Sequence, residues 1–206
     1  MTTPTTTATR STSRRSAGAR PALQSDHPEL LADTTLAGTT PDGGQHRAYR
    51  VTLAVTRIAL GWIFLWAFLD KLFGLGHETP SKGAWINGGS PTEGFLGHAT
   101  KGPFADIYQN IAGAGWADWL FMAGLAGIGT ALIVGVAMRF AAVAGATLLV
   151  MMWTAVLPPD NNLFMDDHII YALVLIGLAA VGAGNTLGLG ERWMRTAVVQ
   201  RYGWLA

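Results

Sequence analysis

Cysteine is absent from all 206 residues. That excludes disulfides, thiolate metal ligands and thiol–disulfide exchange by this chain. Charge is scarce too: Asp, Glu, Lys and Arg make up 13% of the chain, against about a quarter in a typical soluble domain. The net charge is +1 with His neutral, so no global field favours a nucleic acid partner. The missing charge is replaced by hydrophobicity, at 50% of residues. It is gathered into four runs, roughly Val51–Gly76, Ala117–Val136, Phe140–Leu157 and His168–Gly188. Each is close to the ~20 residues an α-helix needs to cross ~30 Å of hydrocarbon. A backbone in lipid must satisfy its own hydrogen bonds, so the runs read as helices. The expected fold is all-α: a four-transmembrane-helix bundle with a long outer loop between its first two spans.

The stretch Met1–Tyr49 is rich in Thr, Ser, Ala and Gly. It lacks the apolar surface needed to offset ordering entropy. Residues 1–48 are therefore expected to be a disordered cytoplasmic tail, and 49–206 the membrane domain. The tail's Arg residues precede the first run by too many positions for a signal peptide, and that run is too long for a signal core. It reads as an uncleaved span.

The Arg residues divide by side. With the amino terminus inside, the cytoplasmic segments hold Arg10, Arg14, Arg15, Arg20, Arg47, Arg50, Arg139, Arg192, Arg195 and Arg201. The outer segments carry Lys71, Lys82 and Lys101 among many acids. This pattern places both termini in the cytoplasm of an inner-membrane protein. The basic surface serves topology, and it also suits an acidic partner or anionic lipid.

Small residues at Ala123, Gly127, Ala131 and Gly135, and at Ala141 and Gly145, repeat every four positions. Such stripes let helices approach closely. Gly182-Ala183-Gly184 follows no strand, so it is not read as a nucleotide loop. In the outer loop, Pro103 suits the first turn of a short helix, with Phe104, Ile107, Tyr108 and Ile111 on one face. That helix is expected to form a lid. Trp85, Trp116 and Trp119 fit an interfacial aromatic belt.

The candidates for chemistry lie near the outer rim. Arg57, Gly61, Phe64, Phe68 and Lys71 share one face of the first span. Lipid would penalise both cations, so that face points into the bundle, where Arg57 meets an ion pair or polar cavity unless it merely anchors at the inner rim. Trp62, Trp66 and Asp70 form a second stripe, either core packing or an aromatic wall for a flat ligand such as a quinone. The segment Asp160–His168 is the densest polar cluster. Asp166 or Asp167 suits a helix N-cap. Asp167, His168 and Tyr171 bring a carboxylate, an imidazole and a phenol together, the groups that proton-coupled quinone chemistry requires. No two His share a helix face, so neither a metal nor haem is expected.

The first span, Arg57-Ile-Ala-Leu-Gly61-Trp62-Ile-Phe-Leu, followed by Lys71-Leu72-Phe73-Gly74, resembles the opening of DoxX/DoxD-family membrane proteins. The stretch Asp166-Asp167-His168-Ile-Ile-Tyr171-Ala-Leu, with Gly182-Ala-Gly184 and Leu187-Gly188-Leu189-Gly190, resembles actinobacterial members of that family. The resemblance covers Tyr49 to the carboxyl terminus. It implies the membrane subunit of a thiosulfate:quinone oxidoreductase, working with a small redox subunit, and allows a homo-oligomer. Quinone would be the acceptor, held by Arg57, Trp62, Trp66, Asp70 and Tyr171, with Asp167, His168 and Lys71 as catalytic residues. The alternative it implies is a non-catalytic scaffold that docks soluble redox enzymes. The sequence leaves open whether the chain is itself catalytic.

Overall fold

The computed structural model describes residues 43–160 and 162–205. These fold as helices and turns, with no strand among the described residues. In chain order the α-helices are α1 (Gly43–Phe73), α2 (Glu93–His98), α3 (Ala105–Ile111), α4 (Gly115–Val134), α5 (Met138–Ala155), α6 (Asp167–Ala180), α7 (Gly190–Met194) and α8 (Ala197–Arg201). The connection from α1 to α4 holds α2, α3 and three short 3-10 turns.

Three helices, α1, α4 and α5, are long and apolar enough to cross a membrane. Of their most apolar stretches only 28, 39 and 33% is buried. The exposed remainder includes Val55, Ile63, Leu120 and Val143, each 46% exposed or more. In water such surface costs about 25 cal/mol per Å²; in hydrocarbon the cost vanishes. A membrane protein is the class this surface defines.

Two expectations need correction. Residues 43–48, assigned to the disordered tail, are helical, because α1 runs outward through His46 and Tyr49, whose rings meet edge-on at 5.7 Å. The rest of that tail lies outside the described residues. The fourth apolar run is also not one continuous helix. α6 has 14 residues, or about 21 Å of rise. It stops at Ala180, followed by Gly182 in left-handed backbone (φ 65°) and a 3-10 turn over Ala183–Asn185.

α1 packs along α4, and α5 along α6. The shared core includes Leu60 and Phe64 of α1, Leu125 and Leu132 of α4, Leu149 of α5 and Leu175 of α6. Lipid offers no hydrophobic drive for helix pairing, so backbone approach matters more than burial of side chains. The closest approach of α1 and α4 is a glycine pair. A Cβ at Gly61 would stand 2.8 Å from Leu132 Cβ, and one at Gly129 would stand 2.7 Å from the Leu65 backbone N. The expected stripe on α4 holds only in its second half, where Ala131 packs on the core and Gly135 is buried. Ala123 and Gly127 are exposed, and a Cβ on Gly127 would meet nothing within 4 Å. On α5 the expectation holds: Ala141 is buried, and a Cβ on Gly145 would stand 2.7 Å from Leu175 Cδ1.

Arg57 is fully buried and points into the bundle. Among the described residues it pairs with no acid. Its Nη1 donates to the carbonyls of Leu132 and Ile133 (3.1 Å to the latter), and its Nη2 to those of Thr186 (3.2 Å) and Leu187 (2.9 Å). The last carbonyls of a helix lack donors of their own and carry its negative dipole end. Here Ala131 accepts from Gly135 N–H, Arg57 serves Leu132 and Ile133, and Leu189 N–H serves Val134 at 2.8 Å. One guanidinium thus ties α1 to the end of α4 and to the non-helical turn after α6.

Gly129→Leu should lower stability in detergent by about 1–3 kcal/mol through overpacking, while Gly127→Leu should leave the thermal midpoint unchanged. Arg57→Leu should cost about 3 kcal/mol or more, because it strands buried carbonyls. Arg57→Lys should recover only part of this, since an ammonium lacks the guanidinium fork. Thermal unfolding of the purified variants checks both.

Candidate functional site

The site forms at the Asp70 end of the bundle, opposite Arg57. It starts from two carboxylates that pin the α1–α4 connection. Asp70, in the last turn of α1, is 1% exposed. Its oxygens accept from the backbone N–H groups of His77 (3.3 Å), Glu78 (3.0 Å) and Thr79 (2.8 Å). Asp118, in the first turn of α4, accepts from Ser90 Oγ (2.8 Å), Thr92 N–H (3.0 Å) and Thr92 Oγ (2.6 Å). The connection is tied to α5 as well, through Tyr108 Oη and Thr154 Oγ (2.6 Å), and to the segment after α5 through the Lys101–Asp160 ion pair.

The start of α6 is built locally. Asp166 is the N-cap, accepting from Ile169 N–H at 3.3 Å. Its other oxygen lies 2.7 Å from His168 Nδ1, and Asp167 lies 3.5 Å from the same nitrogen. Asp166 therefore fixes both the helix start and the imidazole.

Between α1 and α6, floored by α4 and α5, lies a cavity of about 420 Å³. Trp66, Asp70 and Lys71 enter it from α1, and Asp167, His168 and Tyr171 from α6. Six of the eight site residues expected from the sequence thus line one cavity. Trp66 meets His77 edge-on at 5.2 Å. Lys71 forms no ion pair among the described residues.

Arg57 and Trp62 are the exceptions. Arg57 is committed to backbone carbonyls at the other end of the bundle. Trp62 is 50% exposed and faces outward, its ring tilted against Trp66 at 5.9 Å. A spacing of four advances ~40° around a helix, so Trp62 and Asp70 diverge by ~80°. Trp66 and Asp70 of that stripe reach the cavity and Trp62 does not. Asp70 reaches it as a pin for the connection, with its oxygens taken by three amides.

His77, Glu78, Phe121, Leu125, Leu149 and Met152 also line the cavity but were not read from the sequence as site residues. His77 stands six positions beyond Lys71, a closeness that signalled its place. The apolar four carried no signal separating them from other core residues. Asp166, Asp167 and His168 each bring a ligand atom within 4.8 Å of the others, a cluster that the His-spacing argument did not reach. Asp166 there is already engaged as cap and as partner of His168.

The expected lid is split. α3 forms with Pro103 in the preceding 3-10 turn. Tyr108 and Ile111 turn inward, while Phe104 and Ile107 are exposed, at 41 and 61%. Trp85 meets Trp119 edge-on at 4.6 Å, and Trp116 and Trp119 are more than 60% exposed.

Beside this cavity, on the far side of Phe121, is a second of about 420 Å³ between α4 and α5. Its lining is almost wholly apolar, including Leu120, Gly124, Val143 and Leu148, and Phe121 lines both spaces.

No family model, no curated protein and no solved structure matches this chain.

Asp70→Ala should leave the core intact and free the connection. Amide hydrogen exchange should then rise at His77, Glu78 and Thr79 while that of α4 stays protected; unchanged exchange at those three amides would contradict the pinning role.

Proposed function

We propose that this chain is a four-span inner-membrane protein of DoxX/DoxD type, with both termini cytoplasmic. It serves as the membrane subunit of a quinone-linked oxidoreductase of the thiosulfate:quinone kind. The observation that carries this reading is the convergence of Lys71, Asp167, His168 and Tyr171 on one cavity walled by Trp66. Its volume of about 420 Å³ lies within the range usual for small-molecule sites, ~300–1,000 Å³.

The fourth crossing is the shorter helix α6, continued by the turn over residues 181–189. Non-helical backbone at membrane depth is tolerated where protein satisfies it, and Arg57 donates to the Thr186 and Leu187 carbonyls there. The split of Arg and acidic residues supports the orientation.

Quinone is the substrate, and its reduction to quinol takes up two electrons and two protons. Two thiosulfate anions joining as tetrathionate release two electrons and no proton, so the protons must come from the site. His168, held by Asp166, and Asp167 supply them to the quinone oxygens. Lys71 attracts the anionic donor or the quinone carbonyl, and Trp66 offers a flat face to the ring. The apolar space beyond Phe121 takes the hydrocarbon tail. Electrons are delivered by a small partner subunit, a reading with which the absence of Cys is consistent.

Reconstituted with its partner, the protein should reduce a quinone analogue with thiosulfate. Asp167→Asn and His168→Ala should each lower the rate about 10²-fold or more. Gly124→Leu, which fills the apolar space, should raise KM only for long-tailed quinones. Unaltered turnover in both polar variants would overturn the site. No quinone reduction by the unaltered complex would instead leave a scaffold that docks soluble redox enzymes.

A further inference from the structure

The carboxyl-terminal segment carries a feature that the cavity does not use. After α6 the chain folds back as a pad under the Arg57 end of the bundle. Val199 is buried at 4% exposure, and Trp193 Nε1 donates to the Leu205 carbonyl at 2.7 Å. Trp204 leans on Phe140 at 6.2 Å, and Arg139 donates to the Gly203 carbonyl at 3.4 Å. The pad is therefore fixed, yet its other face is open and amphipathic. Met194, Val198, Tyr202 and Trp204 are 46–61% exposed. Among them stand the exposed Arg192, Arg195 and Arg201, with Arg201 over the Tyr202 ring at 5.6 Å. Glu191 is the single acid between residues 181 and 205.

We propose that the pad formed by residues 187–204 lies in the headgroup layer of the membrane and binds anionic phospholipid there. Three observations select a lipid surface. The apolar and aromatic side chains are of the kinds that settle at headgroup depth. The guanidiniums between them offer forked donors to phosphate. The pad also continues from the end of an apolar helix, so it stands at the rim where headgroups lie. An acidic protein would satisfy the Arg residues but would leave half-exposed Met194 and Val198 without hydrocarbon. The excess of Arg over acid makes the attraction depend on lipid charge.

The absence of native Cys permits a clean test on the full chain. Val198→Cys is labelled with an environment-sensitive fluorophore and reconstituted in zwitterionic vesicles or in vesicles with about a third of the lipid anionic. Both leaflets carry the same lipid, so the orientation of insertion does not matter. In the anionic vesicles emission should shift to shorter wavelength, and quenching by nitroxide placed near the headgroups should rise roughly twofold. Changing Arg192, Arg195 and Arg201 together to Gln should abolish the dependence on lipid charge, whereas changing all three to Lys should keep most of it. A monodisperse elution profile in detergent confirms that each variant is folded.

A label open to aqueous iodide in both vesicle types would overturn the proposal, leaving the face free for a protein or for residues 1–42. Equal immersion in both would overturn its anionic part and leave a purely apolar anchor. The test uses no quinone, so its failure is independent of the redox reading.

Discussion

Arg57 stands where two segments end without enough backbone donors. α4 finishes with carbonyls that no later turn of the same helix can serve, and the turn after α6 leaves two more. Water would satisfy them in a soluble protein. At membrane depth only the protein can do so, and an unsatisfied polar group there costs several kcal/mol. A guanidinium suits this place because its donors lie in a rigid fork and its charge faces the negative ends of carbonyl dipoles. The glycines around it follow from the same crowding. A Cβ on Gly135 would stand 2.7 Å from Arg57 Nη1, and one on Gly188 would stand 3.0 Å from Nη2.

This staple also gives the two ends of the bundle different characters. At the Arg57 end, segments are drawn together by backbone hydrogen bonds, and α1, α4 and the turn after α6 meet closely. At the other end, Asp70 and Asp118 hold the α1–α4 connection from two sides, and a cavity stays open between α1 and α6. Asp70 acts on three backbone amides, in mirror image to Arg57 acting on carbonyls, while Asp118 takes one amide and the hydroxyls of Ser90 and Thr92. With those buried charges engaged in holding the connection, Lys71, Asp167, His168 and Tyr171 remain around the cavity.

Much of this was legible in the sequence. Run length and the split of charge give apolar helices, because hydrocarbon thickness and insertion leave few alternatives. Helical periodicity placed Arg57, Gly61 and Phe64 on the inward face, and all three are buried. It also grouped Asp167 with Tyr171, which line the same cavity. The first half of the stripe of small residues on α4, Ala123 and Gly127, misled, because a spacing of four recurs on every face of a helix rich in Gly and Ala. Choosing Gly129 over Gly127 requires the crossing point with Gly61, which is a fact about two helices.

The sequence by itself determined the apolar character of this protein's surface, the helical state of its apolar runs and the gathering of ionisable residues at one end of the bundle. Those follow from local composition and from a periodicity that any single helix displays. The tertiary structure decided that Arg57 serves carbonyls, where the sequence left an ion pair, a polar cavity or simple anchoring open, that Trp62 faces outward and that Phe121 lines two cavities. Each depends on which atoms of distant segments come within hydrogen-bond or van der Waals reach, and no one segment carries that information.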